Sequence, residues 1–236
     1  MNPMYDVVIL GCGEAGIFAA YELARLHPDL KITALDQGRD IYHRSCPIVA
    51  GKVKECIHCP VCDTMCGFGG AGAFSDGKLN TGTKDLRHRF ILETLVSCGA
   101  PEDILIDAKP HVGTDFLHIA LVNLRRRLLE LGADIRFESR LADLDIRDGA
   151  LAGITVEGPA GTYALPCRQL ILCPGHSARD TFEMLYERGV PMEAKPFAVG
   201  VRIEHRQADC DAAQYRQYAG HPGLPASTYK LSCHLP

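Results

Sequence analysis

The stretch YDVVILGCGEAGIFAAYELARL, residues 5–26, decides the fold expected for this chain of 236 residues. It begins with a short apolar run rich in β-branched residues and passes through the glycine-rich turn GCGEAG. It then continues into a segment whose apolar residues recur at helical spacing. The run KITALD, residues 31–36, predicts a second strand. A strand, a helix and a strand within about 30 residues indicate a right-handed crossover between parallel strands.

The turn fits the pattern G-x-G-x-x-G at Gly11, Gly13 and Gly16, and Asp36 follows 20 residues after Gly16. After a strand and before a helix, this pattern is typical of a dinucleotide site. The three glycines would permit the tight turn, the approach of backbone N–H groups to a pyrophosphate, and close packing of helix on strand. The acid at position 36 would accept hydrogen bonds from ribose hydroxyls, which favours FAD or NAD over NADP. A plain turn with spare glycines is the alternative. The cofactor contacts predicted for this unit also include Glu14, Ala15 and Gln37.

The remaining pattern predicts helices over 84–131, with Thr114 as the N-cap of the second, and then short strands. Three of these strands, LADLDIRDG, ALAGITVEG and GTYALPC, form a predicted antiparallel meander. A further strand, RQLILCPG, leads to Gly175 before a predicted helix, so its backbone would approach a dinucleotide a second time. The segment KPFAVGVRIEH, residues 195–205, is predicted as another strand. The long glycine-rich loop and the meander, in place of further strand-helix alternation, favour a flavoprotein over an NAD-binding unit.

The expected fold class is therefore α/β, with a Rossmann-like FAD-binding domain over residues 1–190. This domain has a parallel sheet, helices on both faces and the antiparallel meander, and it includes a Cys- and Gly-rich loop at 44–83. Residues 191–236 are expected to form the start of a second, truncated α+β substrate or cap domain.

The composition of the chain argues against some classes of binding partner. Lys and Arg number 25 against 29 Asp and Glu, so the net charge of −4 provides no strong field for nucleic acid or an anionic membrane. There is no apolar run of the roughly 20 residues that span a bilayer, and the N-terminus has no secretory pattern. We expect a cytoplasmic protein that binds a small-molecule substrate and a redox partner, without nucleic acid or membrane.

Five segments together resemble a known family: GCGEAGIFAAYEL, GFGGAGAFSDGKL, KPHVGTD, LILCPGHSARDTFEML and KPFAVGVRIEH. They are similar to the uncharacterised FAD-dependent dehydrogenases, or NAD(P)/FAD-dependent oxidoreductases, of the glutathione-reductase-like superfamily with two dinucleotide-binding domains. The resemblance implies an FAD-dependent oxidoreductase of unassigned substrate, of which this chain is the N-terminal half. It also implies that the loop from Gly69 and Gly70 to Ser75 lies along the flavin. Whether NAD(P)H donates or accepts the electrons stays open.

The cysteine spacing C-x2-C-x2-C-x3-C at Cys56, Cys59, Cys62 and Cys66 matches ferredoxin cluster ligands, with Cys46 as a rival fourth ligand. A [4Fe–4S] cluster that relays electrons from the flavin is the leading hypothesis. The alternatives are a non-catalytic nucleotide-binding module whose cysteines hold a structural zinc, and a reductase in which a redox-active C-x-x-C pair exchanges electrons with the flavin. The loop around these cysteines is long and lacks periodicity, so it needs something to order it.

The weak candidates for a catalytic residue are two histidines. His176 follows Gly175 in a turn that should abut the cofactor, and His111 lies beside a predicted helix start. No catalytic residue is assigned from the sequence.

Overall fold

The computed structural model describes residues 4–74, 77–79, 85–107, 110–196, 199–201 and 203–229. The chain divides into two compact units, Met1–Pro191 and Met192–Pro236. Among the described residues no helix combines the length and the apolar character needed to cross a membrane.

The first unit alternates strands and helices before it forms a meander. Its elements are β1 (Tyr5–Leu10), α1 (Glu14–Leu26), β2 (Ile32–Leu35), α2 (Arg87–Ser97), α3 (Thr114–Glu130), β3 (Asp134–Arg136), β4 (Arg140–Arg147), β5 (Ala150–Gly158), β6 (Gly161–Leu172) and α4 (Arg179–Glu187). Short 3-10 turns lie at Gly70–Phe74 and Glu102–Leu105.

In the described part of the chain six strands form one sheet in the order β3-β2-β1-β6-β5-β4. The neighbours β3, β2, β1 and β6 run parallel, whereas β6, β5 and β4 pair antiparallel. The predicted α/β class, the crossover and the meander are therefore confirmed.

One predicted boundary inside the sheet is wrong, because GTYALPC and RQLILCPG belong to a single strand, β6. Its first half pairs with β5 as far as Pro166, and its second half pairs with β1 from Cys167 onward. Proline has no N–H to donate, and Pro166 lies where the strand changes partners, so the strand continues through it. The facing residue is Gly153, where a Cβ would lie 3.2 Å from the Cα of Pro166.

Successive residues of β1 point to opposite faces of the sheet, as a strand requires. Val7 and Ile9 join a core with α1, α2 and α3. Val8 and Leu10 join a second core with the meander, against which Met184 of α4 packs. The parallel strands are thus covered on both faces, which explains why their sequences are almost continuously apolar.

Two further local predictions are wrong. Gly113, with φ +80°, occupies the N-cap position of α3 without a side-chain capping bond, so Thr114 is already the first helical residue. In the second unit the described residues of 195–205 form no strand. Val199 and Val201 are 82% and 84% exposed, and a strand needs a partner for its backbone and one face to bury. The described part of this unit contains α5 (Gln207–Tyr215) and a 3-10 turn at Arg216–Tyr218.

Candidate cofactor site

A cleft of about 520 Å³ opens in the first unit where three neighbouring parallel strands end. It is lined by the last residue of β1, by residues 36 and 37 after β2, and by residues 173–178 after β6. Within the sheet, β2, which follows β1 in sequence, lies on one side of β1, and β6 lies on the other side of β1. Open α/β sheets bind their ligands at such a change of direction, outside the carboxyl ends of the strands. The volume suits a nucleotide-sized ligand.

The turn after β1 is held close to its neighbours by two glycines. Gly11 has φ +95°, and a Cβ there would lie 2.2 Å from the carbonyl oxygen of Cys173. At Gly16 a Cβ would lie 1.7 Å from the carbonyl oxygen of Gly11. Neither position can accept a side chain without a backbone shift. Gly11 lines the cleft, and Gly16 is buried beneath the turn.

Gly13 differs from the other two glycines because it has room. It is the N-cap of α1 with φ −74°, which any residue adopts, and a Cβ there would meet only the Cα of Gly70, at 3.9 Å. The first N–H groups of a helix have no partner within the helix and carry the positive end of its dipole. Gly13 and Glu14 line the cleft, so this helix end faces the space where a pyrophosphate would lie.

The carboxylate of Asp36 connects three segments of the site. One oxygen accepts the N–H of Cys12 at 2.7 Å, and the other accepts those of Gly38 at 2.8 Å and Gly67 at 2.7 Å. Asp36 is 6% exposed and lines the cleft. A carboxylate has about four acceptor positions, so three are used inside the protein and about one is left for a ligand hydroxyl.

The second glycine segment packs directly on the first. The N–H of Gly69 donates to the carbonyl of Cys12 at 2.8 Å. A Cβ at Gly70, which has φ +57°, would lie 3.0 Å from the Cα of Gly13. Only chains without side chains approach this closely, so the two glycine motifs form one surface along the cleft. The predicted member Ser75 lies outside the described residues.

Arg44 and Phe68 order the long loop before this segment. The guanidinium of Arg44 donates to the carbonyls of Asp63 at 2.9 Å and Phe68 at 2.7 Å, and it lies 4.8 Å from the ring centroid of Phe74. Phe68 is fully buried and packs edge-on against Phe137. The ordering that the sequence suggested for a metal is thus supplied in this structure by an arginine and a buried aromatic ring.

Part of the cleft was not predicted. Ser139 and Arg140, at the start of β4, line it, as do Ser177 and Thr181 around the start of α4. Ser139 and Arg140 are held at the cleft because the N–H of Ser139 donates to the carbonyl of Asp36 at 2.9 Å, although the two residues are 103 positions apart in sequence. No local pattern announces this contact.

The candidate cysteines do not converge. Cys56, Cys59 and Cys62 are exposed, and Cys46 and Cys66 are half-buried. Among the described residues no group of three or more His, Cys, Asp or Glu side chains is arranged to hold a metal ion. The thiols as they lie in this structure therefore do not form a site for a cluster or a zinc ion.

Cys62 and Cys66 have different surroundings. Burial raises the pKa of the Cys66 thiol, although the Gln37 side chain donates to its sulfur at 3.2 Å. The pKa of Cys62 is lowered by a hydrogen bond with the Thr64 hydroxyl, at 2.9 Å, and by backbone N–H groups. Cys66 lines the cleft, so one residue of the cysteine motif borders the cofactor space.

The remaining predicted residues divide between the cleft and its surroundings. Gly175 and His176 line it, and the ring of His176 lies 3.2 Å from the Ser177 hydroxyl. Ala15 faces a smaller neighbouring cavity. His111 is exposed, pairs with Lys78 in an isolated β-bridge, and does not line the cleft among the described residues.

Comparison with known proteins adds two findings from sequence. Residues 196–236 match the family described as FAD-dependent protein, C-terminal domain-like. An uncharacterised protein of Clostridium beijerinckii is 43% identical over 225 residues, which are 95% of this chain and 41% of that protein. The chain thus spans less than half the length of this curated relative.

Solved structures with similar folds include glycine oxidase of Bacillus cereus and THI4 of Thermovibrio ammonificans. Each is 14% identical with a TM-score of 0.50. The glycine oxidase match covers 79% of this chain and 58% of that chain, and the THI4 match covers 80% and 64%. At this identity the likeness establishes the fold alone.

The different space around two glycines gives a first prediction. Gly13→Ala should change the free energy of unfolding by about 1 kcal/mol or less, because its methyl group has room at an N-cap. It should nevertheless weaken dinucleotide binding about tenfold or more, because the methyl group holds the ligand away from the helix end. Gly16→Ala should instead destabilise the fold by about 3 kcal/mol. Urea unfolding and ligand titration measure the two effects, and equal losses of stability in both variants would contradict the assignment.

The role of Asp36 gives a second prediction. Asp36→Asn places an amide group among three N–H donors, so it should lower the free energy of unfolding by about 3 kcal/mol. The matched control is Asp145→Asn, which removes an exposed ion pair with Arg147 and should cost less than about 0.5 kcal/mol. Urea unfolding measures both. An Asp36→Asn variant as stable as the control would show that the carboxylate does not hold these segments together.

Proposed function

We propose that this chain is the FAD-binding part of an FAD-dependent oxidoreductase of the glutathione-reductase-like superfamily. The observation that carries the proposal is the cleft itself, in which a helix N-terminus, two glycine segments without side chains and an acid after β2 surround one nucleotide-sized space. Each of these features matches a part of a dinucleotide: pyrophosphate, close backbone contact and ribose.

The pyrophosphate would lie on the surface that Gly13 and Gly70 form together along the cleft. Here the N-terminus of α1 supplies N–H donors and a partial positive charge. Thr181, in the first turn of α4, lines the same cleft, but so does Asp180, whose carboxylate opposes the partial positive charge of this second helix start. Glu14 is the unfavourable charge at this end, and its carboxylate rests against Gly72.

The adenosine end would lie toward Asp36 and Gln37, which follow β2. Asp36 retains about one acceptor position for a ribose hydroxyl. Arg140 borders this end, where ion pairs with Glu157 at 2.7 Å and Asp180 at 3.4 Å fix its guanidinium. The acid beside the ribose disfavours a 2′-phosphate, so NADP is the least suitable ligand.

Two observations support FAD over NAD. The C-terminal residues of the chain match a family described by its dependence on FAD. The last strand of the antiparallel meander, β6, pairs with β1, and the turn at Gly175 that follows it lines the cleft. An NAD-binding unit would have a further strand-helix repeat at this position. When bound, the flavin supplies hydride or electron transfer, and the protein supplies position and electrostatics. The substrate is a small molecule, and NAD(P)H is a candidate electron donor or acceptor.

Of the two candidate histidines, only His176 lies where it can act on a molecule in the cleft. This residue is exposed and its ring lies beside the hydroxyl of Ser177, so it can form a hydrogen bond with a molecule at the rim of the cleft. His111 lies away from the cleft lining, and we assign it no role.

A titration of the 236-residue chain tests the cofactor. The flavin fluorescence of FAD should change on binding, and ADP should compete for the site because it carries the pyrophosphate and the ribose. FMN and NAD should each bind about tenfold more weakly than FAD or worse, since FMN lacks the adenosine half and NAD lacks the flavin. If FAD binds no more tightly than FMN, the proposal that this chain binds FAD is contradicted.

The cysteine spacing supports a second, separate hypothesis, that residues 46–66 bind a metal centre. A [4Fe–4S] cluster, a structural zinc and a redox-active Cys59–Cys62 pair all stay open. Because the thiols do not converge in this structure, we derive no electron path through them.

Anaerobic absorbance spectra, together with iron, sulfide and zinc analysis, distinguish these three hypotheses. A cluster should give broad visible absorbance and about four iron atoms per chain. Cys56→Ser should abolish it, whereas Cys98→Ser, which changes a buried thiol elsewhere in the unit, should not. Protein that holds neither iron nor zinc would leave only the thiol hypothesis.

A further inference from the structure

A second cavity, of about 240 Å³, lies beneath the second glycine segment, among α1, α2 and α3. We refer to it as the apolar pocket. Its walls include Phe18, Ile91, Leu117 and Leu121. Among the described lining residues Glu14 is the only ionisable one. An apolar cavity of this size costs stability when it is empty, because its lining loses packing contacts.

The apolar pocket adjoins the cofactor cleft. Glu14, Gly69 and Gly72 line both spaces. Two of these three residues have no side chain, so the wall between the spaces is backbone alone at those points. A Cβ at Gly72 would lie 2.8 Å from the carboxylate oxygen of Glu14, which places that carboxylate at the boundary.

The size and chemistry of the apolar pocket limit its occupant. An apolar cavity of about 150 Å³ is enough to bind benzene, so this one admits a single ring with a short substituent. The aliphatic and aromatic lining favours a ring without polar groups. The carboxylate at the boundary favours a substituent that is cationic or donates a hydrogen bond, and it disfavours an anion.

We propose that the apolar pocket binds the ring of a small apolar or aromatic substrate, whose amine or other donor group contacts Glu14 beside the dinucleotide. This proposal rests on the proposed function, because it needs a bound cofactor in the adjoining cleft. It defines the substrate class as single-ring compounds with a cationic or donor substituent.

Calorimetric titration with benzylamine, benzyl alcohol and benzoate tests this site in the 236-residue chain, free and saturated with FAD. Benzylamine should bind about fivefold tighter than benzyl alcohol in both forms, and benzoate should bind least. Glu14→Gln should remove the preference for the amine while binding of the alcohol persists.

A matched pair at one wall position locates the site. Ile91→Trp should fill the apolar pocket and abolish benzyl alcohol binding, whereas Ile91→Ala enlarges it and should retain binding. Position 91 lies on α2 and does not line the cofactor cleft, so FAD affinity should change less than twofold in both variants. If Ile91→Trp fails to fold, the loss of the preference for benzylamine in Glu14→Gln still tests the proposed site.

The outcomes separate this proposal from the cofactor proposal. Tight FAD binding together with loss of the ring probes on FAD addition would overturn the substrate site, because the cofactor itself would then occupy the apolar pocket. Tight FAD binding with no ring binding in either form would overturn it as well. Ring binding without any FAD binding would overturn the cofactor proposal, and with it the role of the ring as a substrate.

Discussion

The site depends on the carboxylate of Asp36. Its two oxygens accept N–H groups from the turn after β1, from the chain after β2 and from the second glycine segment. These segments come from positions 12, 38 and 67, and without a common acceptor their N–H groups would be buried unpaired. The acid that the dinucleotide pattern places after β2 therefore assembles the cleft, in addition to any contact with a ribose.

The cysteine-rich loop shows why spacing alone does not define a metal site. Four cysteines stand at ferredoxin spacing, yet three of them lie exposed, and Arg44 and Phe68 hold the loop in place. A charged fork that donates to two carbonyls, together with a buried ring, anchors the backbone of this loop without a metal in this structure. Metal binding would have to bring the thiols together.

The local elements were predictable and the exceptions have specific causes. Alternation and glycine turns were enough to find β1, α1, β2 and the meander, because those patterns are fixed by bonds between near neighbours. The sequence pattern predicted two strands in place of β6 because a proline usually ends a strand. Pro166 is tolerated inside β6 because the strand changes partners there and no backbone N–H has to be donated at this residue. Thr114 was misplaced by one residue because Gly113 adopts a left-handed φ of +80°. The strand expected within 195–205 was wrong, because side-chain pattern cannot show whether a partner strand is present.

The sequence by itself determined the glycine turn after β1, the acid after β2 and the glycine turn at Gly175, since each follows from a short local pattern. Only the tertiary structure decided how these pieces meet. It brought Ser139 and Arg140 to the cleft, left the cysteines apart and formed the apolar pocket from three helices. Contacts of this kind arise when distant segments pack on both faces of one sheet, and their partners are set by shape and burial across the whole unit.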